Sequence, residues 1–276
     1  MKRILKWTAI VLGALVLLLT LVGAALYPAG AKAFTRVYPG LQVEALHISS
    51  DANAVAHGKH VSIIWSCTKC HGQALSGSLL ASDLILGTIP ASNLTSGKGG
   101  IGASYGDVDW IRAIRHGVGP DAGVLVLMLD YSTMSDHDLG DLIAYLKQLT
   151  PVDREYPEMH VGPVVPLAPA LGLYTPSAEV MDHNAPRPAD AVPGGTAEYG
   201  RYLFAICREC HSEKLAGDLN DWKQEDFTRA LHTGILPSGK DLPAAMRSPN
   251  FGELNDTELA ALWLYLQDLR RQSGTR

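Results

Sequence analysis

The four cysteines of this 276-residue chain fall into two copies of one pentapeptide, Cys-x-x-Cys-His. The members of the two copies are Cys67, Cys70, His71, Cys207, Cys210 and His211. In this motif the two thiols add across the vinyl groups of a haem, and the adjacent histidine becomes an axial ligand of its iron. The chain is therefore predicted to bind two haem groups covalently, one at each motif.

Other uses of paired cysteines remain open at this point. A structural zinc site needs four ligands in one compact unit, whereas positions 67 and 207 are 140 residues apart and each pair has its own histidine. A thioredoxin-like redox pair needs a βαβ setting, and the sequences that flank both motifs are predicted to be helical. Disulfide bonds alone leave the repeated histidine unexplained.

Residues 1–30 are predicted to form a membrane anchor. Lys2, Arg3 and Lys6 precede residues 8–26, which have no charged side chain and as a helix are long enough to cross a hydrocarbon core. Basic residues stay on the cytoplasmic side, so the remainder of the chain is expected on the outer side. A cleaved signal peptide is the alternative, although its apolar region is usually shorter, roughly 7 to 15 residues.

The charge distribution gives no support for nucleic-acid binding, which usually requires a basic patch. The net charge is −5, and residues 1–50 carry five basic side chains and one acidic side chain. The positive excess therefore lies at the predicted anchor.

Two segments of the chain, one around each motif, share a helical pattern. An apolar stripe with the spacing i, i+3, i+4, i+7, i+10 recurs at an offset of 120 residues, which predicts two helices with a buried face. The stripes consist of Leu139, Leu142, Ile143, Leu146 and Leu149, and of Leu259, Leu262, Trp263, Leu266 and Leu269. Ser135 and Asn255 are the predicted N-caps of these helices.

A glycine interrupts the predicted helix before each motif, Gly58 in the first and Gly200 in the second. Glycine within a helix is unfavourable, so its presence in both copies predicts a close crossing with the later helix. We therefore predict an all-α fold with two tandem domains, residues 45–150 (the first repeat) and residues 194–276 (the second repeat). Residues 151–193 hold nine of the sixteen prolines and are predicted to be an extended, irregular linker that lies on the domain surface.

Each repeat also has a methionine between its middle helix and its C-terminal helix. Met128 follows Gly117 by eleven residues, and Met246 follows Gly234 by twelve. A thioether is a soft, neutral donor that favours Fe(II), and histidine–methionine ligation raises the reduction potential and closes the iron to small molecules. The predicted iron ligands are therefore His71 with Met128 and His211 with Met246.

For Met128 and Met246, the alternative is that the side chain only fills the hydrophobic core. Met134 is assigned to that role, while Met159 and Met181 lie in the linker, outside either ligand loop. If Met128 is not a ligand, His116 is the nearest histidine in sequence.

With these features in place, the chain resembles class I c-type cytochromes, and most of all the membrane-anchored, multi-haem cytochrome subunits of bacterial periplasmic dehydrogenases. The resemblance covers about residues 45–270. Further matching segments are Asn93-Leu94-Thr95, Ala113-Ile114-Arg115-His116-Gly117, Tyr199-Gly200-Arg201 and Pro237-Ser238-Gly239-Lys240. The chain departs from the family pattern in having Leu129 and Arg247, rather than proline, after the two methionines.

The resemblance implies an electron carrier with two covalent haem c groups and no catalytic residues of its own. Such a carrier takes single electrons from an extracytoplasmic donor to a respiratory acceptor, and the implied partners are a dehydrogenase, a terminal oxidase or a soluble cytochrome. The implied location is the bacterial cytoplasmic membrane, with the haem domains on the periplasmic side. The alternatives are a di-haem peroxidase-like oxidoreductase or a gas sensor, both of which need an open iron, and an electron-entry subunit of a haem-copper oxidase.

Overall fold

A computed structural model of the chain describes residues 2–273 with the exception of Asn220, Ala245 and Ser248. The described structure is mostly helical, as predicted. The helices up to the linker are α1 (Lys2–Phe34), α2 (Ala52–Ile64), α3 (Cys67–His71), α4 (Asp107–His116) and α5 (Asp136–Leu146). Those that follow are α6 (Leu167–Ala170), α7 (Ser177–Val180), α8 (Ala197–Leu203), the 3-10 turn Ile206–Glu209, α9 (Leu215–Asp218), α10 (Gln224–Thr233), α11 (Pro249–Gly252) and α12 (Asp256–Ser273).

A small antiparallel sheet corrects the all-α prediction. Its strands pair in the order β1 (Ser78–Asp83), β2 (Gly87–Ala91) and β3 (His160–Val161). The third strand belongs to the linker, and a Cβ atom at Gly87, where φ is +87°, would overlap the carbonyl oxygen of His160. Glycine at this position lets the two backbones approach. The strands are short, and β3, the partner of β2, is distant from it in sequence, so no periodic pattern indicates the sheet.

Among the described residues, one helix, α1, is long and apolar enough to cross a membrane, and a signal sequence would pass the same test. Its apolar side chains are exposed along most of its length. Its C-terminal end packs against the linker: a Cβ atom at Gly30 would overlap the carbonyl oxygen of Pro166. Phe34 stacks on Tyr174, with ring centroids 6.0 Å apart. The linker therefore holds the end of α1.

The predicted helix crossings are confirmed in both repeats. A Cβ atom at Gly58 in α2 would overlap the carbonyl oxygen of Asp141 in α5, and one at Gly200 in α8 would overlap that of Ala261 in α12. The predicted N-cap of α5 is confirmed, since Ser135 Oγ accepts a hydrogen bond from the Asp138 N–H at 3.0 Å. That of α12 is confirmed as well, because the side chain of Asn255 accepts from the Glu258 N–H at 3.0 Å.

The hydrophobic core continues from the first repeat into the second. One cluster of buried side chains contains the apolar stripes of both α5 and α12. Where the repeats meet, Tyr202 packs edge-on against Trp65, with ring centroids 5.5 Å apart. The hydroxyl of Tyr202 also donates to Asp138 Oδ2 at 2.6 Å. The division of the chain into two separate domains stays a prediction.

An imidazole–carboxylate pair, His60 with Glu258, also joins the two repeats. The Nε2 atom of His60 lies 2.7 Å from Glu258 Oε1, and this hydrogen bond raises the pKa of His60 above its ordinary value. A raised pKa in the folded state means that the stabilisation is fully present below the unfolded pKa, about 6.5. It is lost as the pH rises through the higher pKa of the folded chain.

We therefore expect His60→Ala to lower the free energy of unfolding by about 1 kcal/mol in mildly acidic solution and by less in alkaline solution. Urea unfolding of the wild type and the variant across this pH range measures the difference. Glu258 is a poor choice for the substitution because its other oxygen, Oε2, accepts from the Asn255 N–H and caps α12. A difference in stability that is the same at every pH would contradict this role of the pair.

Candidate cofactor sites

The first Cys-x-x-Cys-His motif opens onto an apolar cavity of about 380 Å³. Helix α3 carries the motif and starts after Ser66, whose backbone is in the left-handed region (φ +64°) and turns the chain sharply out of α2. Cys67, Cys70, His71 and Met128 all line this cavity. Other lining side chains include Leu94, Ile101, Tyr105, Trp110, Ile114, Tyr131, Leu142 and Leu146. The predicted attachment residues and the predicted sixth ligand of the first site therefore face one space.

The imidazole of His71 is oriented by the backbone. Its Nδ1 lies 2.8 Å from the carbonyl oxygen of Ser92, and since a carbonyl can only accept, Nδ1 carries the proton. The other ring nitrogen, Nε2, is then left with the lone pair that a metal needs. Burial lowers the pKa of His71, which keeps the ring neutral. His71 is therefore prepared to act as a ligand.

The loop that carries Met128 is held by the linker. Ser177 Oγ donates to the Met128 carbonyl oxygen at 2.9 Å, and the Leu127 N–H donates to Tyr174 Oη at 3.1 Å. The backbone of Leu127 is in the left-handed region (φ +61°), which is costly for a leucine and persists only when the surroundings fix it. The residues in contact are 47 to 49 positions apart in the chain, so no local sequence pattern indicates these bonds.

Two further methionines line the same cavity. Met134 is fully buried, in agreement with its predicted role in the core, whereas Met159 is 47% exposed at the cavity edge. Met159 is predicted to lie outside the ligand loops, but the linker brings it to the edge of this cavity. His116 is engaged elsewhere, with its Nδ1 3.1 Å from Nδ1 of His183, and burial lowers its pKa to about 4. The structure therefore does not support His116 as a substitute ligand.

The polar atoms of this cavity fit a haem. The indole nitrogen of Trp110 is buried at the cavity and has no hydrogen-bond partner within the part of the chain that the structure describes. A buried N–H without an acceptor costs about 1–3 kcal/mol. A haem carries two propionate carboxylates, either of which could accept from this N–H, and its apolar ring suits the apolar wall. The residues present therefore match the group that the motif predicts.

The second motif brings its histidine and methionine into direct contact. Cys207 lies in the 3-10 turn Ile206–Glu209, and His211 Nε2 is 3.5 Å from Met246 Sδ. Met246 reaches this position because Gly234 ends α10 in the left-handed region (φ +72°) and its carbonyl accepts from the Leu242 N–H at 2.7 Å. In the first repeat, Gly117 and Leu125 make the same bond at 2.8 Å. The loops that carry Met128 and Met246 therefore begin with the same backbone hydrogen bond.

The cysteines are free in the structure, and burial raises the pKa of both Cys67 and Cys207 to about 12. Among the described residues, one cluster contains three potential metal ligands, and none of them is a cysteine. Within the part of the chain that the structure describes, the two cysteine pairs do not come together as one four-ligand site, and the four cysteines form no disulfide in this structure. The histidine of each motif instead faces a methionine of the same repeat.

A buried hydrogen bond connects the two sites. Asn250, next to the Met246 loop, donates through Nδ2 to Thr68 Oγ1 inside the first motif at 2.9 Å and to the Ile63 carbonyl oxygen at 2.8 Å. Cys207 of the second motif lines a small gap together with Ile64 and Trp65 of the first repeat. The two motifs therefore lie on either side of the same interface.

No model of a known protein family matches the chain. It is 26% identical over 270 residues to the fructose dehydrogenase cytochrome subunit of Gluconobacter japonicus, covering 82% of this chain and 55% of that protein. It is 31% identical over 176 residues to the gluconate 2-dehydrogenase cytochrome c subunit of Pantoea cypripedii, covering 58% of this chain and 38% of that protein.

A third similar protein is the cytochrome c subunit of the quinone-dependent alcohol dehydrogenase of Gluconacetobacter polyoxogenes. The identity is 26% over 179 residues, covering 60% of this chain and 37% of that protein. The chain spans about half the length of the first of these relatives and well under half of the other two. All three are named as cytochrome subunits of bacterial dehydrogenases.

Proposed function

We propose that this chain is a di-haem c-type cytochrome that carries single electrons from an extracytoplasmic dehydrogenase towards a respiratory acceptor. The observation that carries the proposal is the pairing of each motif histidine with the methionine of its own repeat. His211 Nε2 lies 3.5 Å from Met246 Sδ, and His71 and Met128 line one cavity. The dehydrogenase partner is supported by the three relatives, which are named as cytochrome subunits of such complexes.

The chain's own residues hold, orient and shield the cofactor. The two cysteines of each motif would attach a haem, and the histidine with the methionine would ligate its iron. Each bound haem would supply a one-electron Fe(III)/Fe(II) couple. The Ser92 carbonyl fixes the plane of the His71 ring, and Tyr174 with Ser177 fixes the Met128 loop. The apolar wall excludes water, which raises the potential by destabilising the extra charge of the ferric state.

Helix α1 is proposed to be retained as a membrane anchor. Its end is packed on the linker through Gly30 and Phe34, and Arg36 just beyond it forms an ion pair with Glu179 at 2.9 Å. The Arg36 carbonyl accepts from the Val124 N–H at 3.1 Å, in the loop that leads to Met128. These contacts support an anchor that lies close to the first site. The periplasmic side is proposed because Lys2, Arg3 and Lys6 precede the apolar segment, and basic residues stay on the cytoplasmic side.

The carrier proposal predicts that both irons are closed to added ligands. A potentiometric titration of the full-length, haem-loaded protein in detergent should show two one-electron steps, and the reduced protein should show no spectral change under carbon monoxide at neutral pH. Thioether ligation of both irons is the physical reason. A clear carbon monoxide complex of the wild type would instead indicate an open iron and favour the peroxidase or sensor alternative.

A further inference from the structure

A second cluster of ligand-type side chains lies away from both motifs, where α2, the start of α5 and the end of the linker meet. It contains His57 from α2, His137 and Asp138 from α5, and Asp190 from the linker. The linker is attached here through its backbone, since the His137 N–H donates to the Ala189 carbonyl oxygen at 3.0 Å. His57 and His137 are stacked, with ring centroids 5.4 Å apart.

Three ligand atoms of this cluster converge on one point. Asp138 Oδ1 lies 3.8 Å from His57 Nε2 and 3.8 Å from His137 Nδ1. One ligand atom from each of these residues lies within 4.8 Å of the other two. Around a tetrahedral zinc ion with bonds of about 2.0–2.1 Å, neighbouring ligand atoms lie about 3.3 Å apart. The two distances from Asp138 Oδ1 are about half an ångström longer than that spacing, and the ligand atoms of the two imidazoles lie within 4.8 Å of each other. Binding would draw the imidazoles inwards, and the side chains of His57 and His137, which are 35% and 55% exposed, have room to move.

In His57 and Asp138, the polar atom that would not bind the ion already has a hydrogen-bond partner. His57 Nδ1 lies 2.8 Å from Asp141 Oδ2, so the ring donates there and its Nε2 carries the lone pair. Asp138 Oδ2 accepts from the Tyr202 hydroxyl at 2.6 Å, which leaves Oδ1 for another partner. Metal-binding histidines usually donate the N–H of their other ring nitrogen to a carboxylate or carbonyl, and metal-binding carboxylates are usually hydrogen-bonded as well. His57 and Asp138 both have such a partner.

The charge of the cluster also calls for a cation. Three carboxylates, those of Asp138, Asp141 and Asp190, surround two imidazoles. The side chain of Asp138 is only 10% exposed, so its charge is poorly solvated. A single divalent cation held by the two imidazoles and Asp138 would offset most of this charge.

We propose that His57, His137 and Asp138 form a binding site for one divalent transition-metal ion of the zinc type. Two imidazoles and one carboxylate are a donor set that zinc favours, and the fourth position is open to water or to Asp190, whose Oδ1 lies 3.6 Å from His137 Nδ1. A bound ion would link α2 to α5 directly. Through Asp190 and Tyr202 it would also stiffen the junction between the linker and the two repeats.

Titration of zinc chloride into the full-length, haem-loaded protein, after dialysis against EDTA, tests this site by calorimetry. The wild type should bind one zinc ion per chain. His57→Ala and His137→Ala should each weaken binding by at least about tenfold, the scale of losses when the surroundings of a metal site are disturbed. His160→Ala is the matched control, because it removes an exposed histidine from β3 and should leave the affinity unchanged.

Zinc-edge X-ray absorption of the loaded protein provides a readout that does not depend on how well the variants fold. It should show nitrogen and oxygen neighbours at about 2.0–2.1 Å, including imidazole scattering. Wild-type protein that binds no zinc would overturn the proposal. So would an affinity that is the same in all four proteins, or sulfur neighbours at about 2.3 Å, which would place the ion on unreacted motif cysteines.

Discussion

A variant with alanine at both Cys207 and Cys210 is expected to carry one covalent haem per chain, where the wild type carries two. Each haem of this type is attached by the addition of two thiols to its vinyl groups, so removal of both sulfurs at one motif removes the attachment there. The first motif has its own cavity and its own oriented histidine and should mature normally. The haem content per chain is measured as the pyridine complex and by haem staining on a denaturing gel.

The reciprocal variant, with alanine at Cys67 and Cys70, is the matched control. It should also retain one haem, and its visible spectrum and potential should be those of the second site alone. The spectra of the two double variants should then add up to that of the wild type. A variant of all four cysteines should stain for no haem. Two haems in either double variant, or none in the wild type, would contradict covalent attachment at these motifs.

The parts of the fold that the sequence could predict are those that repeat or that depend on near neighbours along the chain. Gly58 and Gly200 can be recognised because glycine is unfavourable within a helix and yet occurs at the same place in both repeats. Both lie at a helix crossing in the structure. Ser135 and Asn255 can be recognised as caps because the bonds they accept come from residues only two or three positions further along.

The parts that the sequence could not predict depend on contacts between distant segments. Tyr174 and Ser177 hold the Met128 loop from within a linker that looked irregular, and nothing in their local pattern indicates this role. The pairing of His160 with Thr88 in the sheet is equally non-local. The same holds for the cluster of His57, His137 and Asp138, in which His57 approaches Asp138 because α2 and α5 cross at Gly58.

Substitution of a predicted sixth ligand by leucine removes its sulfur with little change in side-chain volume. Met246→Leu should remove the sulfur that faces His211 and leave the second iron without its thioether ligand. Because histidine–methionine ligation raises the potential, one of the two potentials should fall by on the order of 0.1–0.3 V, within the roughly 0.8 V that axial ligands span. The reduced variant should also bind carbon monoxide at one iron per chain.

Met128→Leu should have the same effect on the other potential, and the two variants should therefore change different steps of the titration. Met181→Leu is the control for a buried methionine, because it lies in the linker and does not line the first cavity. Met134→Leu and Met159→Leu extend the comparison, since both of these methionines do line it. If Met128→Leu keeps the parent spectrum and potential while one of these two loses them, the ligand of the first iron has been assigned to the wrong sulfur. A change in neither potential for Met246→Leu would contradict the pairing with His211, on which the carrier proposal depends.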